Sequence, residues 1–142
     1  MTHPLPDQEH ILFLLKELSN QMGPKFERNT HISLSRYELL HQLYQVDEIN
    51  QSSLQKVVNI DHAAITRHLK QLESEGMVSR RRNPSDNRET FVQLTHEGRE
   101  RILTCQSDKL SFIKQMFYGF TEEELRSLVT MLIRVQTNIK EY

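Results

Sequence analysis

The residues with the most pointed chemistry lie between positions 62 and 88. Six cations stand there, Arg67, Lys70, Arg80, Arg81, Arg82 and Arg88, against Glu73, Glu75 and Asp86. A guanidinium can fork onto a guanine edge, a threonine hydroxyl can bond a base or a phosphate, and an alanine methyl can touch the methyl of thymine. On a helix from His62 to Glu75, the apolar set Ile65, Leu69 and Leu72 marks one face, with Ala64 beside it. The opposite face then carries His62, Ala63, Thr66, Arg67 and Lys70, small and polar side chains of the kind a groove-inserted helix needs. The bland alternative is a solvated face, which is what most charge runs are. Farther on, Arg81 and Arg82 are candidate phosphate contacts. Asp86 and Arg88 lie at a polar tip, where the arginine suits a narrow, negative minor groove. The same two could instead hold each other in the turn, a surface pairing that contributes little.

Other chemistries find no set of residues. There are seven histidines, but His62 and His68 lie six apart on different helix faces. His96-Glu97-Gly98-Arg99-Glu100 opens like a zinc-protease motif and then has glutamate where the second histidine belongs. No metal site is expected. The four glycines, Gly23, Gly76, Gly98 and Gly119, are scattered, so no phosphate-cradling loop and no dinucleotide site can be built. The single cysteine, Cys105, allows no intrachain disulfide and reads as a small buried hydrophobe. No nucleophile, base and orienting group fall on one surface, so neither an enzyme nor a cofactor is expected. A net charge of -1 argues against a protein that coats nucleic acid indiscriminately, yet leaves room for a local basic surface.

The elements that must hold these residues follow from periodicity and capping. Ile11, Leu15, Leu18 and Met22 predict a helix from about residue 8 to a break at Gly23-Pro24, resuming through Lys25 to Asn29. Ser35-Arg36-Tyr37-Glu38 reads as a capping box opening a second helix that continues to about Val46. A short helix over about 52–58, with Leu54, Val57 and Val58 on one side, leads to a turn ending in the N-cap Asp61. Gly76 stops the next helix. Two short strands, Val78–Arg82 and Thr90–Leu94, flank a turn-rich tip over 83–89. A two-stranded ribbon is marginal alone, so it must lean on the helices. Thr95 caps a helix running to about Tyr118, with Ile102, Leu110, Ile113 and Phe117 inward. Thr121-Glu122-Glu123-Glu124 opens the last helix, whose Leu125, Leu128, Leu132, Val135 and Ile139 form a heptad-like seam. The fold class is therefore mainly α with a small β-wing. With 142 residues, the chain is one domain. A winged lobe over 35–95 holds a helix-turn-helix at 53–76 and a wing at 78–94, and flanking helices at 8–30 and 96–140 serve dimerisation. No apolar run is long enough to span a membrane, and the first residues lack a leader's apolar core, so a cytoplasmic location is expected.

The stretch DHAAITRHLKQLESEGMVSRRRNPSDNRETFVQLTHEG resembles the signature of the multiple-antibiotic-resistance regulator (MarR) family. The likeness rests on Thr66-Arg67, Leu72-Glu73 and Gly76, then Val78 and Arg80. It continues through Pro84-Ser85-Asp86-Asn87-Arg88 in the wing and Leu94-Thr95 followed by Gly98. It is specific over residues 53–98. The resemblance implies a homodimer with interlocked terminal helices, whose winged lobes reach adjacent major grooves of a pseudo-palindromic double-stranded operator. It also implies that Asp61 pairs with Arg88 to orient the wing, the alternative being an N-cap and a DNA ligand with no mutual contact, and that the protein is a repressor released by a small aromatic or phenolic effector.

Two of these implications have footing in the residues. Ile11, Leu15 and Leu18, with Leu125, Leu128, Leu132, Val135 and Ile139, are more apolar surface than terminal helices wrapped on a small lobe require, which favours a dimer interface. Tyr37, His41 and Tyr44 fall at i, i+4 and i+7, a stripe that could hold a phenolic or carboxylate effector or could be half-buried packing. The alternatives left open are a winged-helix module that binds proteins rather than DNA, and a regulator with no effector.

Overall fold

The computed structural model describes His3 and residues 5–142; Met1, Thr2 and Pro4, within the stretch read above as no leader, lie outside them. The elements in order are α1 (Pro6–Thr30), α2 (Leu34–Tyr44), β1 (Ile49–Asn50), α3 (Gln51–Val57), α4 (His62–Ser74), β2 (Val78–Asn83), β3 (Asp86–Leu94), α5 (His96–Met116) and α6 (Glu122–Glu141). The chain forms two compact units, with the boundary between Lys109 and Leu110. Among the described residues no helix is long and apolar enough to cross a membrane.

Helix α1 runs straight through Gly23-Pro24, where a break was expected. A proline inside a helix removes one amide donor and crowds the turn before it. Here the preceding residue is glycine, whose missing Cβ relieves the clash with the ring. Pro24 is also exposed, so water can serve the deprived carbonyl. The helix ends at His31, which takes the left-handed conformation at φ 62° and donates its N–H to the Glu27 carbonyl at 2.8 Å. Two residues on, the cap of α2 is Ser33, whose Oγ accepts from the Arg36 N–H at 3.2 Å; the expected cap at Ser35 lies inside the first turn. Glu38, expected to complete a box at that end, instead accepts from the Asn59 N–H at 3.3 Å. The helix buries Tyr37, Leu39, Leu40 and Leu43 in the core. The helix ends at Tyr44, two residues short of the expected Val46.

The core of the first unit is formed by leucines of α2, Leu54 and Val58 around α3, Ile65, Leu69 and Leu72 of α4, Val78, Val92 and Leu94 of the sheet, and Ile102 and Cys105 of α5. Val57 points out at 55% exposure, against its expected place beside Leu54. The sheet has three antiparallel strands in the order β1-β3-β2, one more than the sequence suggested. Ile49 pairs with Val92 and Asn50 with Phe91, while Arg80, Arg81 and Arg82 pair with Val92, Phe91 and Thr90. The register shifts between Arg82 and Asn83, and pairing resumes at Asn83 with Asp86, so the tip narrows to Pro84-Ser85.

Where β3 meets α5, Thr95 Oγ1 donates to the Gly76 carbonyl at 2.6 Å and accepts from the Gly98 N–H at 3.0 Å, as expected of a cap. Gly98 is buried there, and a Cβ on it would collide with the Met77 carbonyl oxygen and the Leu94 side chain. In the second unit, Thr121 and Glu124 form the expected reciprocal capping box of α6. Phe117 and Phe120 meet edge to face at 6.0 Å. Leu110 and Ile113, expected to point inward, are exposed, and no residue of 110–142 is buried.

Candidate nucleic-acid interface

Helix α4 is fixed at its start and along its back. Asp61 Oδ2 accepts from the Ala64 N–H at 3.4 Å, and Ile65, Leu69 and Leu72 are wholly buried. His62 Nδ1 bonds Gln55 Oε1 of α3, which ties the two helices of the helix-turn-helix together. With that register set, the 100° step of a helix turns His62, Ala63, Thr66, Arg67 and Lys70 outward, and all five are exposed. Thr66 Oγ1 donates to the His62 carbonyl at 3.2 Å and keeps its lone pairs for an outside donor. Arg67 and Lys70 have no ion pair among the described residues, so both charges face solvent uncompensated.

His68 sits on the flank of the same helix. Burial, then the neighbouring Arg36 and Arg67 guanidiniums, push its imidazole below the ordinary histidine range. Arg36 lies 3.8 Å from Glu75, and its buried Nε has no hydrogen-bond partner among the described residues. Burial and the two neighbouring cations thus all disfavour the protonated imidazole.

The wing's arginines are employed differently from one another. Arg80 donates to Glu73 at 3.1 Å, joining the base of β2 to the end of α4, and this bond holds the Glu73 carboxyl below its usual range. Arg81 engages Glu48 with Nε and Nη2 at 3.0 and 2.8 Å, and its guanidinium lies 4.8 Å over the Phe91 ring. The fork read as a phosphate contact is thus occupied by a carboxylate. Arg82 is exposed and forms no ion pair among the described residues. With Glu73, Arg80, Arg81 and Thr90 it lines a cleft of about 260 Å³.

At the tip, Arg88 is 92% exposed and its Nε donates to Asp86 at 3.2 Å, while its N–H donates to the same carboxylate at 3.1 Å. The expected Asp61–Arg88 pair is not formed. Asp61 is spent on capping α4, and Asp86, two residues from Arg88, is the nearer partner. The polar groups that sequence reasoning missed are Glu48, Asn50, Asn83 and Glu89, because their partners depend on the sheet register.

The aromatic stripe of α2 is already furnished. Tyr37 is buried against Phe26, with ring centroids 5.5 Å apart, stacks on His41 at 5.9 Å, and has Lys109 Nζ 5.4 Å from its ring centre. Tyr44 is partly exposed beneath Arg99, at 5.3 Å. His41 bonds Gln45 at 3.0 Å. Three cations of α5 grip this side of the unit, since Arg101 also donates to the Thr30 carbonyl at 2.9 Å. Cys105 is buried, and burial pushes its thiol up, away from reactivity. Of the dimer candidates, Ile11, Leu18, Leu132, Val135 and Ile139 are exposed, and Leu15, Leu125 and Leu128 are half-buried.

Residues 32–90 match the MarR family. An uncharacterized HTH-type transcriptional regulator, YdgJ, of Bacillus subtilis (strain 168) is 54% identical over 133 residues, which is 94% of this chain and 81% of that one. Sco3205, a MarR family transcriptional regulator of Streptomyces coelicolor solved in complex with DNA, superposes with a TM-score of 0.86. It is 22% identical, over 96% of this chain and 94% of its own. BpsR of Bordetella bronchiseptica, solved to explain regulation of its DNA binding by 6-hydroxynicotinic acid, gives 0.80 at 18% identity, over 89% and 98% of the two chains. These two likenesses establish the fold.

Proposed function

The chain belongs to the MarR family of transcriptional regulators, and we propose that it binds a pseudo-palindromic DNA operator as a homodimer and represses the genes beside it. The observation that carries this is the outward face of α4. Its His62, Ala63, Thr66, Arg67 and Lys70 are exposed and backed by a buried row, and among the described residues neither Arg67 nor Lys70 has an ion pair. A face meant for a protein partner would present apolar groups, and this one offers only the methyls of Ala63 and Thr66. The positive end of the α4 dipole adds to the attraction for phosphate. Arg82 and Lys70 would meet phosphates, Arg67 a base edge, and Arg88 the minor groove once it leaves Asp86.

Repression lifted by a small aromatic acid is the regulatory half of the proposal. Tyr44 and His41 are accessible, with Arg99 and Lys109 of α5 at hand for a carboxylate. Activity would be confined to the cytoplasm, where the chromosome lies, and includes no catalytic step. Fluorescence-anisotropy titration on a duplex selected by this protein from randomised DNA, against a scrambled duplex of equal length, tests the DNA reading. Equal affinity for the two overturns it. Repeating the titration with salicylate, in wild type and in His41→Ala, tests the effector. No shift in wild-type affinity leaves a regulator controlled by its abundance.

A further inference from the structure

We propose that Glu48 and Glu89 are wing-positioning residues, two carboxylates that strap the β2–β3 hairpin to the start of α3 and so aim its tip, a role that rests on the DNA-binding reading above. Residues directly opposite on paired strands share a sheet face. Asn50, Phe91 and Arg81 therefore form one row across β1, β3 and β2, and Glu89, two residues before Phe91, lies on that face as well. The other face carries Val78, Val92 and Leu94 into the core. The outer face is thus free to hold a polar lattice, and it does.

The first strap is Arg81, which crosses over the Phe91 ring and forks onto Glu48, just before β1. A two-bond fork fixes orientation as well as distance. The second is Glu89, whose carboxylate accepts from Asn83 Nδ2 at 2.7 Å and from Asn50 Nδ2 at 3.4 Å. Both amides are committed at their other ends. Asn50 Oδ1 caps α3 by accepting from the Ser53 N–H at 2.7 Å, and Asn83 Oδ1 accepts from the Ser85 N–H in the tip at 2.9 Å. A continuous path thus runs from the N-cap of α3 through Glu89 to the turn beside Arg88.

The geometry explains why such straps would matter. Pairing between β1 and β3 stops at Phe91, and Arg88 lies three residues beyond, about 10 Å at the rise of a strand. That length is a two-stranded ribbon, which has little stiffness of its own. On the other side, the Arg80–Glu73 ion pair ties the hairpin's base to α4. Over that length a tilt of roughly 17° at the base moves Arg88 by about 3 Å, half the width of a minor groove.

The test is a double-mutant cycle with the full-length chain on the selected duplex. Arg88→Ala is introduced into wild type and into the pair Glu48→Gln, Glu89→Gln, whose amides keep the shape and weaken the charge-assisted bonds. In wild type the loss should be about fivefold or more; in the strap variant it should shrink below about twofold, a coupling expected only between linked sites. Hydroxyl-radical protection of the flanking minor groove should fade while guanine protection under α4 persists. If the strap variant melts well below wild type, Arg81→Lys, which keeps the charge and breaks the fork, replaces it in the same cycle. An equal loss from Arg88→Ala in both backgrounds overturns the inference and leaves the DNA reading standing. No preference of wild type for the selected duplex overturns that reading instead.

Discussion

At the scale of single residues, what distinguishes the arginines is their partners rather than their positions. Among the described residues Arg67 has no ion pair while Arg81 is bound to Glu48, though the sequence offers both as DNA contacts, the first to a base edge and the second to a phosphate. Arg67→Ala should cost about 1–3 kcal/mol of operator affinity and relax preference at one position in each half-site. Arg82→Ala should weaken selected and scrambled duplexes alike and lower the salt slope by about 1. Anisotropy titrations at two salt concentrations separate the two; equal losses on every duplex would reduce α4 to a phosphate clamp. His68 gives a prediction of another kind. Its folded pKa lies below the ordinary 6.5, through burial, Arg36 and Arg67. The unfolded chain therefore binds the proton more readily. Stability from this group is full above pH 6.5 and is lost as pH falls from there through the lower folded pKa. His68→Gln should flatten that limb of a urea-denaturation series, and an unchanged limb would assign it to other groups.

At the scale of elements, Gly98 carries the tightest constraint, because α5 begins against the carbonyl of Met77. Gly98→Ala should destabilise the fold by about 1–3 kcal/mol, the usual cost of overpacking, visible as a lower melting temperature. A melt equal to wild type would mean that the α5 start shifts freely. That contact spans the whole hairpin and was not legible in the sequence, whereas features complete within one element were. The caps at Asp61, Thr95 and Thr121 were, because cap chemistry is complete within four residues. So was the buried row Ile65, Leu69 and Leu72, because helix period reveals it. What escaped depends on distance along the chain. Strand β1 is two residues long and exists only through its pairing with β3. Glu48 and Arg81 are 33 residues apart and Asn50 and Glu89 are 39 apart, so no window of sequence contains either pair. Pro24 misled for the opposite reason, since its exposure and the glycine before it make an interior proline tolerable.

At the scale of the whole molecule, the question is what covers the terminal helices. Along α6, Leu132, Val135 and Ile139 are exposed and continue the line of Leu125 and Leu128 at alternating steps of three and four. Such steps make one continuous apolar seam on a helix. On α1, Ile11 and Leu18 are exposed on one stripe, while Leu12 and Phe13 expose apolar surface on another. A chain that kept these faces in water would carry apolar patches uncommon on a monomer. A second copy of the chain is the occupant that the proposed function also calls for: with one α4 assigned to each half-site, a pseudo-palindrome of two half-sites about 10 base pairs apart needs two chains. Replacing Leu128 and Leu132 together by aspartate places charges in that seam, and an uncompensated buried charge is costly. The expected outcome by light scattering is a mass of one chain, or insoluble protein, where wild type at micromolar concentration gives two. If the doubly substituted chain stays soluble, it should bind a single half-site duplex as well as wild type does and lose the gain that wild type shows on the full palindrome. A wild-type mass of one chain would remove the dimer, and with it the reason for expecting a palindrome. Two chains in both proteins would move the interface off α6.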